Sequence, residues 1–344
     1  MSVLNSAQFI AANSDHVKVN EAGCKQASEV IYKSLQEKPY STESWSDHPL
    51  NPIEKNLSTV DWIFTIDLLN FSFWSDADDL DTGDAKSQRF AVQYKGRLYT
   101  GYWSLVAAVN KALDQGIPFT KPQFWNEELT LEALEEIFQS ATTERIPLLK
   151  ERFQVLKEAG TVFQTLGITS FAELVTASEK SALRLVETVR KNFSSFNDIA
   201  EYKDQTVYIL KRAQILVSDI WACFNGVSYG EFTDIDFITM FADYRVPQIL
   251  HYLGCLHYSD SLVNDLSGHV LIPNGDNREV ELRGCSIWAV ERIKYYLIET
   301  HPEIRGKVNS VLLDFYLWDS AKDLQKSEGK AVGLPTHRTR SVYY

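Results

Sequence analysis

Methionine is scarce, 2 in 344 residues, and the 4 cysteines (Cys24, Cys223, Cys255, Cys285) are scattered without a close pair. Such spacing builds neither a zinc site nor a disulfide scaffold, so reduced, buried thiols are expected. The chain has no glycine-rich phosphate loop, no His-Glu-x-x-His and no Cys-x-x-Cys. No motif calls for a metal or a nicotinamide cofactor, and neither is expected. Apolar runs stop short of the roughly 18 residues that span a bilayer, so no membrane partner is expected. No basic segment followed by an apolar core opens the chain; a secretory signal is not expected, and cytosol or nucleus is the anticipated compartment. Positive charge is in deficit: 34 Lys and Arg face 46 Asp and Glu, a formal net charge of −12. A surface that grips polyphosphate broadly needs the opposite balance, so stable nucleic-acid binding is not expected. A small phosphorylated ligand held by a few local cations remains compatible.

What is present is aromatic and helical. Aromatics make up 12% of the chain, and 44% of residues are hydrophobic, enough to bury a sizeable core. Apolar residues at three- and four-residue steps predict helices over 22–35, 102–115 (closed by Gly116), 130–140, 147–166, 171–193, 285–300 and 308–323, the last capped by Asn309 or Ser310. Residues 89–100 alternate around Lys95-Gly96 and predict a β-hairpin; 279–284 alternate as a short strand. Pro39, Pro49 and Pro52 make 38–52 a loop. The expected fold is mainly α with a small β-hairpin and short-strand element. It is read as one domain over 1–344, with an N-terminal part of about 1–125 and a helical part of about 126–344 sharing one pocket.

The most suggestive stretch is Ile238 to Leu250. Its first part is apolar, and Pro247 suits a first helical turn. Val246, Ile249, Leu250, Leu253 and Leu256 then recur at helical steps. Asp243 falls in the turn between. One reading makes it a helix cap paired with Arg245; the other gives a rigidly held carboxylate a chemical task. Late in the chain, Phe315 and Asp319 are four apart on one helical face, beside the pair Asp314 and Trp318. Carboxylates among aromatics suit a flat polar heterocycle: rings stack on its faces, a carboxylate accepts N–H groups from its edge, and another stabilises positive charge at a sugar carbon. Asp67 and Asn70, embedded in an aromatic run, either tie the core or face a ligand. His48 sits in the proline-broken loop, where an isolated histidine is more often an exposed bystander. Lys211 and Arg212 open a helical stretch and are either a solvated helix end or an anion contact.

Six blocks of the sequence carry a resemblance. They are Leu69-Asn70-Phe71-Ser72-Phe73-Trp74-Ser75, Gly101-Tyr102-Trp103-Ser104-Leu105, Lys211-Arg212-Ala213-Gln214-Ile215-Leu216-Val217, Thr239-Met240-Phe241-Ala242-Asp243-Tyr244-Arg245, Glu281-Leu282-Arg283-Gly284-Cys285-Ser286 and Leu312-Leu313-Asp314-Phe315-Tyr316-Leu317-Trp318-Asp319. In this order they resemble the queuosine salvage protein family, the queuosine 5′-phosphate N-glycosylase/hydrolases. The resemblance implies hydrolysis of the N-glycosidic bond of queuosine 5′-monophosphate, with release of queuine, a 7-deazaguanine base that can be reinserted into tRNA. It implies a mainly helical fold similar to helix-hairpin-helix DNA glycosylases.

Position by position, it makes Asp243 the catalytic aspartate. It gives His48, Phe241, Asp314, Phe315 and Asp319 ligand contacts. Some members carry Tyr at the Phe315 position, where a hydroxyl hydrogen bond is absent here. Lys211 and Arg212 are candidate phosphate contacts from their charge and from their place in a matching block. Two other functions stay open on the residues alone: a non-catalytic queuine- or nucleotide-binding protein, and a nucleic-acid glycosylase, which the negative charge disfavours.

Overall fold

A computed structural model describes residues 1–37, 41–76, 88–328 and 333–344; Pro39 of the expected loop lies outside them. Fourteen α-helices and three two-stranded antiparallel ribbons make up the described residues. No helix among them is long and apolar enough to cross a membrane. All four cysteines are buried and free.

The expected hairpin is there: Ala91–Tyr94 pairs with Arg97–Thr100 around Lys95-Gly96. The helix Tyr102–Asp114 is followed by Gly116 at φ 81°, a left-handed position that favours glycine. Asn309 caps the late helix Ser310–Glu328 by accepting from Leu312 N at 3.0 Å.

Three sequence expectations fail for identifiable reasons. Residues 279–284 are not a strand but the start of the 24-residue helix Asn277–Thr300. Asp276 caps it through Arg278 N. Val280 to Ile287 are all buried, so the alternating hydropathy marks a helix enclosed on every side, not a pleat. Gly284 is needed there, because a Cβ would lie 2.5 Å from Ile10 Cδ1. The single helix expected over 171–193 is two, Phe171–Ala177 and Ala182–Asn192. Glu179 and Lys180 adopt positive φ, and Ser181 restarts the helix. Asp234 fixes that restart by accepting from Ser181 Oγ and Ala182 N. The helix after Asp243 ends at Tyr252. Gly254 at φ 74° turns the chain, and Leu256 enters a strand paired with Val19.

Two hydrophobic cores form. The first includes the aromatic group Phe64, Trp125, Phe163, Phe171, Phe193 and Phe196. The second joins the helices Val3–Asn13, Glu21–Glu37 and Asn277–Thr300. The segment before Asp243 is shared between them. Ile238 and Phe241 belong to the first core, Met240 and Ala242 to the second. The helix Ser310–Glu328 does likewise, giving Val311 to the first and Leu313 and Leu317 to the second.

Buried guanidiniums tie loops to this frame. Arg212 donates through Nη1 to the carbonyls of Asp67 (2.9 Å) and Leu68 (2.7 Å), and through Nη2 to Ser195 O. Its plane lies between the rings of Phe71 and Phe196. Arg283 forms a bidentate pair with Asp198 (3.0 and 2.6 Å), reaches Glu279 (3.0 Å), and donates Nε–H to Ala242 O (2.8 Å). The ring of Tyr344 covers its guanidinium at 4.0 Å. At the other side of the second core, the Glu281 carboxylate accepts the main-chain N–H groups of Asp15 (3.0 Å), His16 (2.6 Å) and Val17 (3.1 Å).

Two outcomes follow from these buried charges. Arg283→Met strands two carboxylates that are 4% and 1% exposed. It is expected to cost about 3–5 kcal/mol, read as a lower urea midpoint at unchanged slope. Asp67 is fully buried, and burial raises its carboxyl to about 7 against the opposing Asn70 hydrogen bond and the charges of Lys211 and Arg212. Because the folded state then binds the proton more tightly than the unfolded chain, stability falls as pH rises from the ordinary carboxylate range toward 7. The urea midpoint of Asp67→Asn should therefore change less between about pH 5 and about pH 7.5 than that of the parent; equal slopes of midpoint against pH would refute the assignment.

Candidate active site

A cavity of ≈ 860 Å³ opens between the hairpin side, the helix Lys211–Cys223 and the late helix. Seven of the eight candidate residues line it: Asp243, His48, Phe241, Asp314, Phe315 and Asp319, together with Lys211. The eighth, Arg212, is held in the frame as described. Both members of the Lys211–Arg212 pair are buried, at 6% and 1% exposure, so neither is a solvated helix end. The main-chain geometry explains why: Leu210 at φ 51° turns the chain inward, and Lys211 N donates to the buried Asp198 carboxylate at 3.1 Å.

Asp243 caps the helix, as one reading of its sequence context has it, and it lines the cavity, where the other reading needs it. Its Oδ1 accepts from Arg245 N (2.7 Å) and Val246 N (3.0 Å), capping the helix Arg245–Tyr252, while the carboxylate stands in the cavity wall. Arg245 thus pairs with it through a main-chain N–H. Asp314, one helix away, accepts from Phe241 N at 2.9 Å and so pins the strand-like segment that carries Asp243. Burial pushes the Asp314 carboxyl well above the usual range, and the neighbouring charge of Asp243 adds to the shift. Lys211 offsets part of it. Burial lowers the Lys211 ammonium, while Asp243, Asp67 and Asp314 favour its charged form.

The aromatic walls are distinct. Phe241 and Phe315 face each other at 6.3 Å with planes tilted by 53°. His48 stacks on Trp103 at 3.2 Å, 12° from parallel, and accepts from Leu50 N at 3.3 Å. It is therefore half-buried in the cavity wall, not a loop bystander. Asn70 lines the cavity while Asp67 lies beneath it, so of that embedded pair one faces the space and one ties the frame.

Asp219 is a cavity residue that the sequence barely announces. It is 7% exposed, and burial, then the charge of Asp67, push its carboxyl well above the ordinary range. The signal for it is spacing: Lys211, Ile215 and Asp219 stand four apart on one helical face and all three line the cavity. Arg89 and Arg338, far apart in sequence, also reach this wall.

One pattern misleads. Gly226-Val227-Ser228-Tyr229-Gly230 spells a nucleophile elbow, but it follows a helix and leads into a 3-10 turn, with Ser228 exposed. The strand-turn-helix context that gives the motif its chemistry is absent there.

Comparison with known proteins gives the chain a family. The family model described as queuosine salvage protein matches residues 50–344. A Schizosaccharomyces pombe protein named queuosine 5′-phosphate N-glycosylase/hydrolase is 46% identical, covering 99% of each chain. Proteins of the same name from Nematostella vectensis and Mus musculus are each 42% identical, covering 98% and 100% of this chain and 97% and 99% of their own. With the matched region holding all but one of the residues that build the cavity walls described here, from Asn70 to Arg338, and the relatives spanning nearly the whole chain, this protein belongs to the queuosine salvage protein family.

Proposed function

We propose that this chain hydrolyses the N-glycosidic bond of queuosine 5′-monophosphate and releases queuine, the activity named for its relatives. The observation that carries the reading is Asp243, a carboxylate held by two main-chain N–H groups at the wall of an aromatic cavity that holds further buried acids.

The chemistry asks for such a group. A 7-deazapurine has carbon where purines have N7, so the leaving base lacks the usual protonation site. As the bond from the sugar carbon to the base breaks, its electron pair leaves with the base and positive charge grows on the sugar. Fixed negative charge beside that carbon lowers the barrier, because its orientation is set before reaction begins. Asp243 supplies it, as electrostatic stabiliser or as nucleophile. Water then adds its hydroxyl to the sugar carbon, and its remaining proton balances the departing base.

Phe241 and Phe315 are assigned to the faces of the base, and Asp314 or Asp319 to its N–H edge. His48, braced on Trp103, completes the wall around the ligand. Lys211, set among Asp243 and Asp314, is given the task of balancing their charge instead of holding phosphate. We extend the reading to the scaffold as akin to helix-hairpin-helix DNA glycosylases; its mainly helical build supports this coarsely.

The test is queuine release by the purified chain from queuosine 5′-monophosphate. Asp243→Asn keeps an oxygen that can accept from Arg245 and Val246, so the helix cap and the unfolding midpoint should persist. Turnover should fall by a factor on the order of 10²–10³ or more. Ligand bound without base release by the parent chain would leave a binding protein in place of an enzyme.

A further inference from the structure

The stretch His48-Pro49-Leu50-Asn51-Pro52 brings His48 to the cavity wall, yet it belongs to no helix or ribbon. A side chain on such a loop takes its geometry from whatever holds the loop. Proline has no N–H, so Pro49 and Pro52 donate nothing to the turn. It closes instead on Asn51, whose N donates to His48 O at 3.0 Å. Leu50 N donates to His48 Nδ1 at 3.3 Å, and the Leu50 side chain is buried in the first core.

Leu50 O is held as well. Asn110 Nδ2 donates to it at 2.8 Å, while Asn110 Oδ1 accepts from Trp62 Nε1 at 2.8 Å. These partners leave the amide one orientation, because an indole N–H only donates and a carbonyl only accepts. Trp62 is itself buried in the helix Leu57–Leu68. Asn110 lies on the helix Tyr102–Asp114, as does Trp103, the ring on which His48 stacks. The two are about two helical turns apart and so share a face. That one face fixes the plane of the imidazole through Trp103 and the backbone beside it through Asn110.

The consequence is chemical. A main-chain N–H can only donate, so the Nδ1 that faces Leu50 N carries no proton. In the neutral ring the proton is then on Nε2.

We propose that Asn110 is a positioning residue for the site: by holding Leu50 it keeps His48 as the Nε2–H tautomer, a hydrogen-bond donor for an oxygen of the bound nucleotide. The proposal rests on the nucleotide hydrolysis put forward above. A nucleotide is rich in acceptor oxygens, and an ionised carboxylate, the form in which Asp243 acts there, has no proton to offer them.

Two measurements test it. The first is kcat/KM for base release from queuosine 5′-monophosphate by the parent chain, Asn110→Asp, His48→Phe and the double variant. Asn110→Asp keeps an acceptor for Trp62 but turns an oxygen toward Leu50 O in place of an N–H. In the parent it should lower kcat/KM roughly tenfold, the worth of one lost hydrogen bond. His48→Phe keeps a ring on Trp103 and has no N–H. In that background Asn110→Asp should cost less than about twofold. Equal factors in both backgrounds, as a merely structural defect would give, overturn the positioning role. The second is nitrogen-15 NMR of the His48 ring in the ligand-free chain at neutral pH, assigned by its absence from His48→Phe. A protonated Nε2 beside a bare Nδ1 is expected, and the reverse tautomer overturns the proposal whatever the activity. If the parent chain releases no base, the proposed reaction fails. Calorimetric affinities for queuosine 5′-monophosphate then replace kcat/KM in the same four-way comparison and are read the same way.

Discussion

The site depends on one buried ion pair, Arg283 with Asp198. Arg283 sits on the long helix Asn277–Thr300 and uses its two terminal nitrogens on Asp198 and its Nε–H on Ala242 O. Asp198 in turn accepts from Lys211 N. One guanidinium thus fixes the residue before Asp243 and, through one carboxylate, the first residue of the helix bearing Lys211 and Asp219. Burying such a pair is expensive, and an apolar replacement of equal volume can be as stable. What an apolar replacement lacks is direction. Two planar groups joined edge to edge by paired hydrogen bonds set angles as well as distances, which a site built from separate segments needs.

The same logic explains the crowding of acids. Asp67, Asp219 and Asp314 are all at most 7% exposed, and burial favours the neutral form of each. Lys211 is the ammonium they share. Such a group of ionisable side chains costs stability, and the two cores on either side supply it. The segment 238–242 is threaded between those cores, with Ile238 and Phe241 in one and Met240 and Ala242 in the other, so Asp243 emerges from a stretch that neither core can release alone.

Much of this was legible in the sequence, and what was not has physical causes. Asp243 before Pro247, the hairpin around Lys95-Gly96 and the late acidic-aromatic helix follow from local rules, and the structure places them accordingly. The start of the helix Asn277–Thr300 did not read as helix, because burial on every side erases the amphipathic stripe from which periodicity is read. Lys211 and Arg212 read as a solvated helix end or an anion contact, because their burial depends on Asp198, Asp67 and Ser195, residues outside the helix whose contacts no local pattern shows. Arg89 and Arg338 stand almost 250 positions apart, and no local pattern joins them.

The Glu281 carboxylate sets a timetable for biosynthesis. The three N–H groups it accepts belong to Asp15, His16 and Val17, more than 260 residues earlier. At ordinary ribosomal rates that interval lasts on the order of tens of seconds. Through it, the helices Val3–Asn13 and Glu21–Glu37 have left the ribosome without the long helix against which they bury Ile10 and Ile31. The nascent chain therefore carries this apolar surface unburied until the long helix has been made, and its second core closes only then.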